Sequence, residues 1–307
     1  MRKCILICFL ILVLSYFSFS LKFVHDMNIG TKGAGDGQFQ YVEDFAFDIN
    51  GNLLATDATN ANVQVFNVSN GKFIAKFGTK GTGKNDGSLD KPEGIAVDKS
   101  GNIYVMDYNT GFIKKYDKNY KWLKTTGGYG KNEGENMMSE FADVANNMLY
   151  FAEAGNSRVN VYDLDLNFKF LFGGMGTGEG QMIRPEAAKS DSTGNIWVCD
   201  LGNNRIQKYT KDGKFIMQFG KKGAGAGEFD KPTGLAIDKN NNIYVGEVNN
   251  NRVQVFDKNG KFLAMFGTGG SGNDQFGNIH GVIVDKRGYV FVADTANNRI
   301  SVWKPVM

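Results

Sequence analysis

Apolar and polar positions along this chain fall into short runs, four to a unit, and the unit recurs. In its clearest copy the runs cover residues 234–238, 242–246, 252–257 and 261–266. They are rich in β-branched and aromatic residues and bounded by Gly, Asn and Asp, which is the pattern of strands. Asp98-Lys99-Ser100-Gly101-Asn102 and Asp257-Lys258-Asn259-Gly260-Lys261 supply the residues that tolerate left-handed backbone in hairpin turns. No stretch of useful length carries the 3.6-residue apolar period of a helix.

The units close on glycines 30, 78, 127, 173, 220 and 267, spaced 48, 49, 46, 47 and 47 residues apart. A period of this length marks a solenoid, a propeller or an array. Four antiparallel strands per unit, repeated radially, describe a β-propeller blade. The expected fold is therefore all-β: a six-bladed propeller spanning 21–307, with blades starting near 30, 78, 127, 173, 220 and 267. The last unit ends after Arg299-Ile300-Ser301-Val302-Trp303 without a fourth strand. The segment from Leu21 to Gly30 resembles the closing strand Lys72–Gly78. It is expected to complete the last blade and close the ring, leaving no raw sheet edge at the seam.

Several motifs recur in register: Gly94-Ile95-Ala96-Val97-Asp98, Gly101-Asn102-Ile103-Tyr104-Val105, Asp200 with Asn203-Asn204-Arg205, and Phe219-Gly220. Over roughly residues 21–303 they resemble the NHL repeat family of β-propellers. The third unit departs most, because Ser139-Glu140-Phe141-Ala142-Asp143 lacks its neighbours' Pro and Gly. Repeated Trp-Asp or paired-glycine signatures of other propellers are missing.

The N-terminus reads differently. Arg2 and Lys3 precede an apolar run from Cys4 to Tyr16, and small residues stand at 18 and 20. This is the form of a secretory signal peptide, 1–20, cut after Ser20. An uncleaved signal anchor is the alternative, since residues 4–21 are just long enough to span a bilayer. Either way the repeats are expected outside the cytoplasm, secreted, periplasmic or at the cell surface. Membrane contact is expected only through such an anchor.

Hydrophobic content is 42%, normal for a globular domain. Beyond the leader, 33 basic residues face 32 acidic ones, so no long-range field draws the protein to nucleic acid. Cys199 is the one cysteine left there, and its strand context makes it a buried small side chain rather than a reactive thiol.

In a propeller the first residues of each innermost strand reach the mouth of the axial channel. Those positions are Glu43, Glu93, Ser139 or Glu140, Glu186, Thr233 and His280. Carboxylates brought together raise one another's pKa or recruit a cation, and oxygen-rich clusters suit Ca²⁺ or Mg²⁺. Glu43, Glu93, Glu186 and His280 are therefore the candidate axial ligands for a Ca²⁺-like ion. The resemblance extends to amidating lyases and gluconolactonase-like enzymes of the wider six-bladed group, whose metal ligands ring the same axis. An amidating lyase would imply a set of axial histidines. Only His25 and His280 exist, and His25 falls on the closing outer strand, so zinc is disfavoured. The plainer reading is that the acids are solvated at a wide mouth.

Asp57, Asp107, Asp200 and Asp294, with Glu153 and Glu247 in equivalent places, recur at the end of the second run. Arg158, Arg205, Arg252 and Arg299 follow five residues after their acids, while Asn62 and Phe112 stand there in the first two units. A charged pair recurring blade after blade is a structural pairing, suited to Arg geometry. The Walker-like Gly78-Thr79-Lys80-Gly81-Thr82-Gly83-Lys84-Asn85 lacks the Ser or Thr after its Lys and a following helix. It is an inter-blade linker.

These linkers carry Lys32, Lys80, Lys84, Lys131, Lys221 and Lys222, near the aromatics Tyr41, Phe112 and Tyr129. Lys80, Lys84, Phe112, Tyr129, Lys221 and Lys222 form a candidate binding face for a protein, peptide or glycan. RNA is the distant third reading, opposed by export and near-zero net charge. The expected function is a non-enzymatic binding module on that loop-rich face. The alternative is a metal-dependent hydrolase or lyase with an axial Ca²⁺-like cofactor.

Overall fold

The computed structural model describes residues 21–306; the leader expected at 1–20 lies outside the described residues. The described chain is almost entirely β, with two three-residue 3₁₀ turns at Leu201–Asn203 and Thr295–Asn297. Four antiparallel sheets have four strands each. The first runs in order from Val42–Phe47 through Leu53–Asp57 and Asn62–Phe66 to Phe73–Phe77. Two more start at Pro92–Val97 and Pro232–Ile237 and follow the same order. The third and fourth repeats, whose inner strands are Ser139–Ala145 and Pro185–Ser190, pair in parallel at Phe141 and Ala187 and so form one eight-stranded sheet. The units are arranged as a β-propeller, inner strand against inner strand.

The last sheet is assembled from both ends of the described chain. Lys22–Ile29 pairs antiparallel with Arg299–Val306, which continues to Val290–Asp294 and Ile279–Val284. His25 lies on that outer strand, edge-on to Trp303. Thr295 Oγ1 then donates to Val42 O at 2.7 Å, tying the last repeat to the first.

Core side chains lie between sheets rather than along the axis. Phe45, Ile95 and Leu235 from inner strands each pack into a separate inter-sheet cluster with residues of their neighbours. Cys199 sits in one of these clusters, fully buried, and burial pushes its thiol well above its usual value. It behaves as a packed apolar group.

The closing glycine has a physical reason. Each linker sends one side chain under the sheet end, and Phe39, Leu89, Asn136, Met182, Phe229 and Phe276 are all buried. A Cβ on Gly30, Gly220 or Gly267 would stand 2.5, 2.4 or 2.1 Å from the ring of Phe39, Phe229 or Phe276. The backbone there is also left-handed, with φ of 84, 96 and 87°. Glycine is fixed at these places by contact and by conformation together.

The recurring acid–arginine pair fastens the same linkers. Arg205 Nε donates to Asp200 at 2.8 Å, while its terminal nitrogens donate to Thr177 O, Gly178 O and Gln181 O at 2.8–2.9 Å. Arg252 repeats this with Glu247, Ala224 O, Gly225 O and Glu228 O. In the second repeat, where Phe112 replaces the Arg, Lys114 reaches the linker from two residues further on. Its Nζ donates to Gly83 O and to Asp86 O. The staple is kept with a different side chain.

Candidate functional site

Register places the mouth residues. Pro92 pairs with Asp107, Pro185 with Asp200, Pro232 with Glu247, Ile279 with Asp294 and Val42 with Asp57. Ser139 pairs with Glu153 in the same way, so Glu140, not Ser139, is the equivalent of Glu93 and Glu186. The mouth positions are thus Glu43, Glu93, Glu140, Glu186, Thr233 and His280. All four glutamates are buried, at 1, 4, 2 and 4% exposure.

The acids are not bare. Glu43 Oε2 stands 2.8 Å from His280 Nδ1 across the seam between first and last sheets. Glu93 is paired with Lys91. Arg184 Nε donates to Glu186 Oε1 at 2.8 Å, and its outer nitrogen lies 4.0 Å from Glu140 Oε1. Lys91 and Arg184 belong to Lys-Pro-Glu and Arg-Pro-Glu, so each cation is two residues from its acid. Arg184 adopts left-handed backbone, φ 49°, on entering its strand.

Electrostatics follow from burial and crowding. Burial, partly opposed by His280 and reinforced by Glu93, lifts the Glu43 carboxyl to about 7. Burial and the neighbouring Glu186 and Glu93 carboxylates hold Glu140 well above the carboxylate range. His280 is lowered by burial but raised more by Glu43, reaching about 8. Tyr41 OH lies 3.4 Å from His280 Nε2, and burial beside Glu43 pushes that phenol up to about 12. Tyr108 stands on the other side, with Lys91 Nζ 3.9 Å from its ring centroid.

Some acceptors are left over. Glu43 Oε2 has only His280 as a partner. Glu140 Oε1 and Ser139 Oγ are buried without a hydrogen-bond partner. Buried polar atoms of this kind are costly unless something fills them. Thr233 is satisfied, donating to Ile279 O at 2.9 Å.

Glu43 and His280 titrate as a pair. Both folded values lie above the ordinary ones, so both groups favour the folded state at low pH. That advantage is lost as pH rises, through about 7 for Glu43 and about 8 for His280. Glu93, Glu140, Glu186, Lys91, Arg184 and Tyr41 face the same space and shift the midpoint without changing the sign. Wild-type protein is expected to lose about 2 kcal/mol more than Glu43→Gln between pH 5 and 8.5. Urea unfolding across that range checks it, and equal slopes for the two proteins would refute the pairing.

Below the mouth the same inner strands cross the axis. Lys189, three repeats on from Asp44, reaches both Asp44 carboxylate oxygens at 3.2 Å and Ala142 O at 2.8 Å. Asp44 is fully buried. Beyond it lies a cavity of about 300 Å³ lined by apolar residues such as Phe45, Ile95 and Leu235 and by Asp143, Lys189 and Ser190.

The linker residues fall into two places. Lys80 and Lys84 lie on the linker into the second repeat, where Lys84 Nζ is 5.9 Å from the Phe112 ring. Tyr129, 55% exposed, lies on the next linker, adjacent to the Phe112 end of that sheet. Lys221 and Lys222 belong to the linker into the fifth repeat, where Lys221 pairs with Glu228 at 3.2 Å.

Among the described residues no group of three or more His, Cys, Asp or Glu side chains is disposed to hold a metal ion. Glu43, Glu93 and Glu186 each already have a cation of their own. As they stand, these residues do not fit a cation bound jointly with His280. Among the described residues no helix is long and apolar enough to cross a membrane.

Comparison with solved structures gives the fold company. An auxiliary nutrient binding protein from Bacteroides thetaiotaomicron superposes with TM-score 0.69 at 13% identity, over 93% of this chain and 77% of that one. A streptogramin B lyase gives 0.66 at 13%, over 94% and 99%. A gluconolactonase from Xanthomonas campestris gives 0.66 at 15%, over 88% of each chain. At such identities the likeness is one of fold alone. No curated protein matches the sequence. The NHL repeat model matches residues 89–116, 183–209 and 229–256, each running from the end of a linker through the third strand of a sheet. The chain thus carries NHL repeats on a β-propeller fold.

Proposed function

We propose that this protein is an exported binding module: a six-bladed propeller, counting the eight-stranded sheet as two blades, whose ligand sits in the glutamate-lined mouth. The observation that carries this is the convergence of Glu43, Glu93, Glu140 and Glu186 from four repeats, with Glu140 Oε1 buried and without a hydrogen-bond partner. A polar ligand that enters among them supplies the donor Glu140 lacks. The rigid strands hold these groups in place, and the linkers of the same face form the rim. Export rests on the leader-like residues 1–20.

The test is ligand-induced stabilisation. Peptides, saccharides and polyamines are screened for a rise in melting temperature, with Glu43→Gln/Glu186→Gln as the mouth variant and Lys221→Ala/Lys222→Ala as the linker variant. Stabilisation lost only in the mouth variant supports the reading. Loss only in the linker variant moves the site to the lysine-bearing loops.

The second reading, a hydrolase or lyase using a Ca²⁺-like ion on Glu43, Glu93, Glu186 and His280, has the Glu43–His280–Tyr41 chain in its favour as a path for a proton. It requires Lys91 and Arg184 to swing away from their acids. Chelator is therefore expected to leave the melting temperature of freshly purified protein unchanged. A drop of several degrees on adding EDTA, absent in Glu93→Gln/Glu186→Gln, establishes the ion instead.

A further inference from the structure

The second repeat departs from the others at one place, and the departures meet at a pocket. We infer that this pocket binds one ring of a neutral saccharide, laid on Trp122 and Tyr120 with a hydroxyl donating to Asp86. The pocket shares no residue with the mouth and does not rest on the reading proposed above.

In the other repeats the buried linker residue follows the closing glycine by nine positions; from Gly78 to Leu89 it is eleven. The outer strand of the second sheet starts on Trp122, where register puts Phe73, Phe168, Phe215 and Phe262 in its neighbours. Each of those rings meets the aromatic opposite it edge-on, at centroid distances of 5.6–6.1 Å and angles of 77–80°. His25 and Trp303 do the same in the last sheet. Tyr116 and Trp122 stand opposite each other in that register. Yet among the described residues the Trp122 ring pairs with no aromatic, whereas Trp197 and Trp303 each meet a phenylalanine. Its Nε1 donates instead to Thr125 Oγ1 at 3.0 Å. Where the ring pair is missing a pocket of about 310 Å³ opens, lined by Tyr116, Tyr120, Trp122, Thr79, Asp86 and Ser88.

The groups of this pocket are open to a ligand. The Asp86 side chain is 59% exposed. Its Oδ1 accepts from the Ser88 N–H and hydroxyl, and its Oδ2 has no partner among the described residues. Thr79 is exposed, while Tyr120 and Trp122 are partly so. Tyr120 is fixed by stacking on Phe77 at 5.1 Å and by its hydroxyl donating to Asp48. Charge favours a neutral body. Lys114 Nζ lies 3.6 Å behind Asp86 Oδ1, so an ammonium ligand meets a resident cation at the acid. An anion meets Asp86 itself. A pyranose offers what remains: an apolar C–H face for the two aromatics and O–H donors for the free carboxylate oxygen. Aromatic walls with a few placed polar groups are the usual make-up of a small-molecule site.

The experiment uses the whole folded chain, saturation-transfer NMR and tryptophan fluorescence. Trp197 and Trp303 are 1 and 3% exposed, so acrylamide quenching reports on Trp122. The probes are neutral oligosaccharides built from glucose, mannose, galactose or N-acetylglucosamine, with a capped proline-rich peptide and tetramethylammonium as competing classes. At least one oligosaccharide is expected to bind and to shield Trp122 from acrylamide. Trp122→Phe restores the residue of the neighbouring repeats and closes the pocket, and is expected to weaken that binding roughly tenfold or more. Asp86→Ala removes the acceptor and is expected to weaken it several-fold, while Lys214→Ala, on an exposed turn of the fourth repeat, changes nothing. Unchanged melting of the variants without ligand separates a lost contact from lost structure. If Trp122→Phe fails to fold, shielding of Trp122 in the wild type and its loss in Asp86→Ala decide. Saccharide binding that leaves Trp122 unshielded and is indifferent to both substitutions overturns the site, wherever the sugar then sits. Shielding by the peptide or by tetramethylammonium at lower concentration than by any sugar overturns the saccharide. No binding by any of the oligosaccharides overturns it as well, and none of these results bears on the mouth.

Discussion

Replacing Lys189 by methionine is expected to destabilise the protein by about 3–5 kcal/mol, the cost of leaving a buried carboxylate without its partner. Lys189 places its ammonium against both oxygens of Asp44 and against Ala142 O. Asp44 is wholly enclosed, and the Ile95 N–H also donates to it at 3.2 Å. Burial already raises the Asp44 carboxyl, with Lys189 opposing that rise. Methionine fills the volume of the lysine stem but removes the charge, so Asp44 is pushed further up. A group raised in the folded state stabilises at low pH and loses that contribution as pH increases. The defect is therefore smaller at pH 5 than at pH 8. Adding Asp44→Asn keeps an acceptor for Ile95 and removes the stranded charge, and is expected to recover at least half of the loss. Urea midpoints of the wild type, both singles and the double complete the cycle. A Lys189→Met protein as stable as wild type would mean that the ion pair across the axis holds nothing together.

That pair was out of reach of a sequence reading, and the reason is instructive. Asp44 and Lys189 are 145 residues apart and occupy non-equivalent positions in their repeats. Periodicity aligns like with like, so it finds what recurs. It found the closing glycines, the strand runs and the Asp–Arg staple, because the same contact is built at each sheet. It also brought Glu43, Glu93, Glu186 and His280 to one mouth, since equivalent positions converge on the axis. It left open whether Ser139 or Glu140 belonged there, and pairing with Glu153 settled that for Glu140.

The cations of the mouth are legible in the sequence as Lys-Pro-Glu and Arg-Pro-Glu. Lys91 and Arg184 stand two residues before their glutamates, just ahead of the strands that carry them. Reading the acids without them made the cluster look like a cation site. With them, three of its four acids stand beside a cation. The Lys114 substitution for the missing Arg is harder to foresee. Phe112 occupies the aligned position, and only the geometry shows that a side chain two residues away reaches carbonyls of the same linker.

Gly281→Ala is expected to cost about 3 kcal/mol, because it forces apart two inner strands that nearly touch. A Cβ at Gly281 would stand 2.2 Å from Glu43 O and 3.0 Å from Asp44 Cα. Both are backbone atoms of a strand held by its own sheet, so neither can rotate away. Gly94 meets Glu140 O at 2.2 Å and Gly234 meets His280 O at 2.3 Å in the same manner. These approaches are what bring Glu43, Glu140 and His280 to one place. The substitution is thus expected to act twice: a lower urea midpoint, and a flatter pH dependence as His280 is carried away from Glu43. Gly269→Ala, where the nearest atom is 3.5 Å away on the Asn251 side chain, serves as the control and should cost little. Stability lost with the pH dependence intact would mean that the seam can open without moving the pair, and that Glu43 and His280 are held by their side-chain surroundings rather than by the contact of their strands.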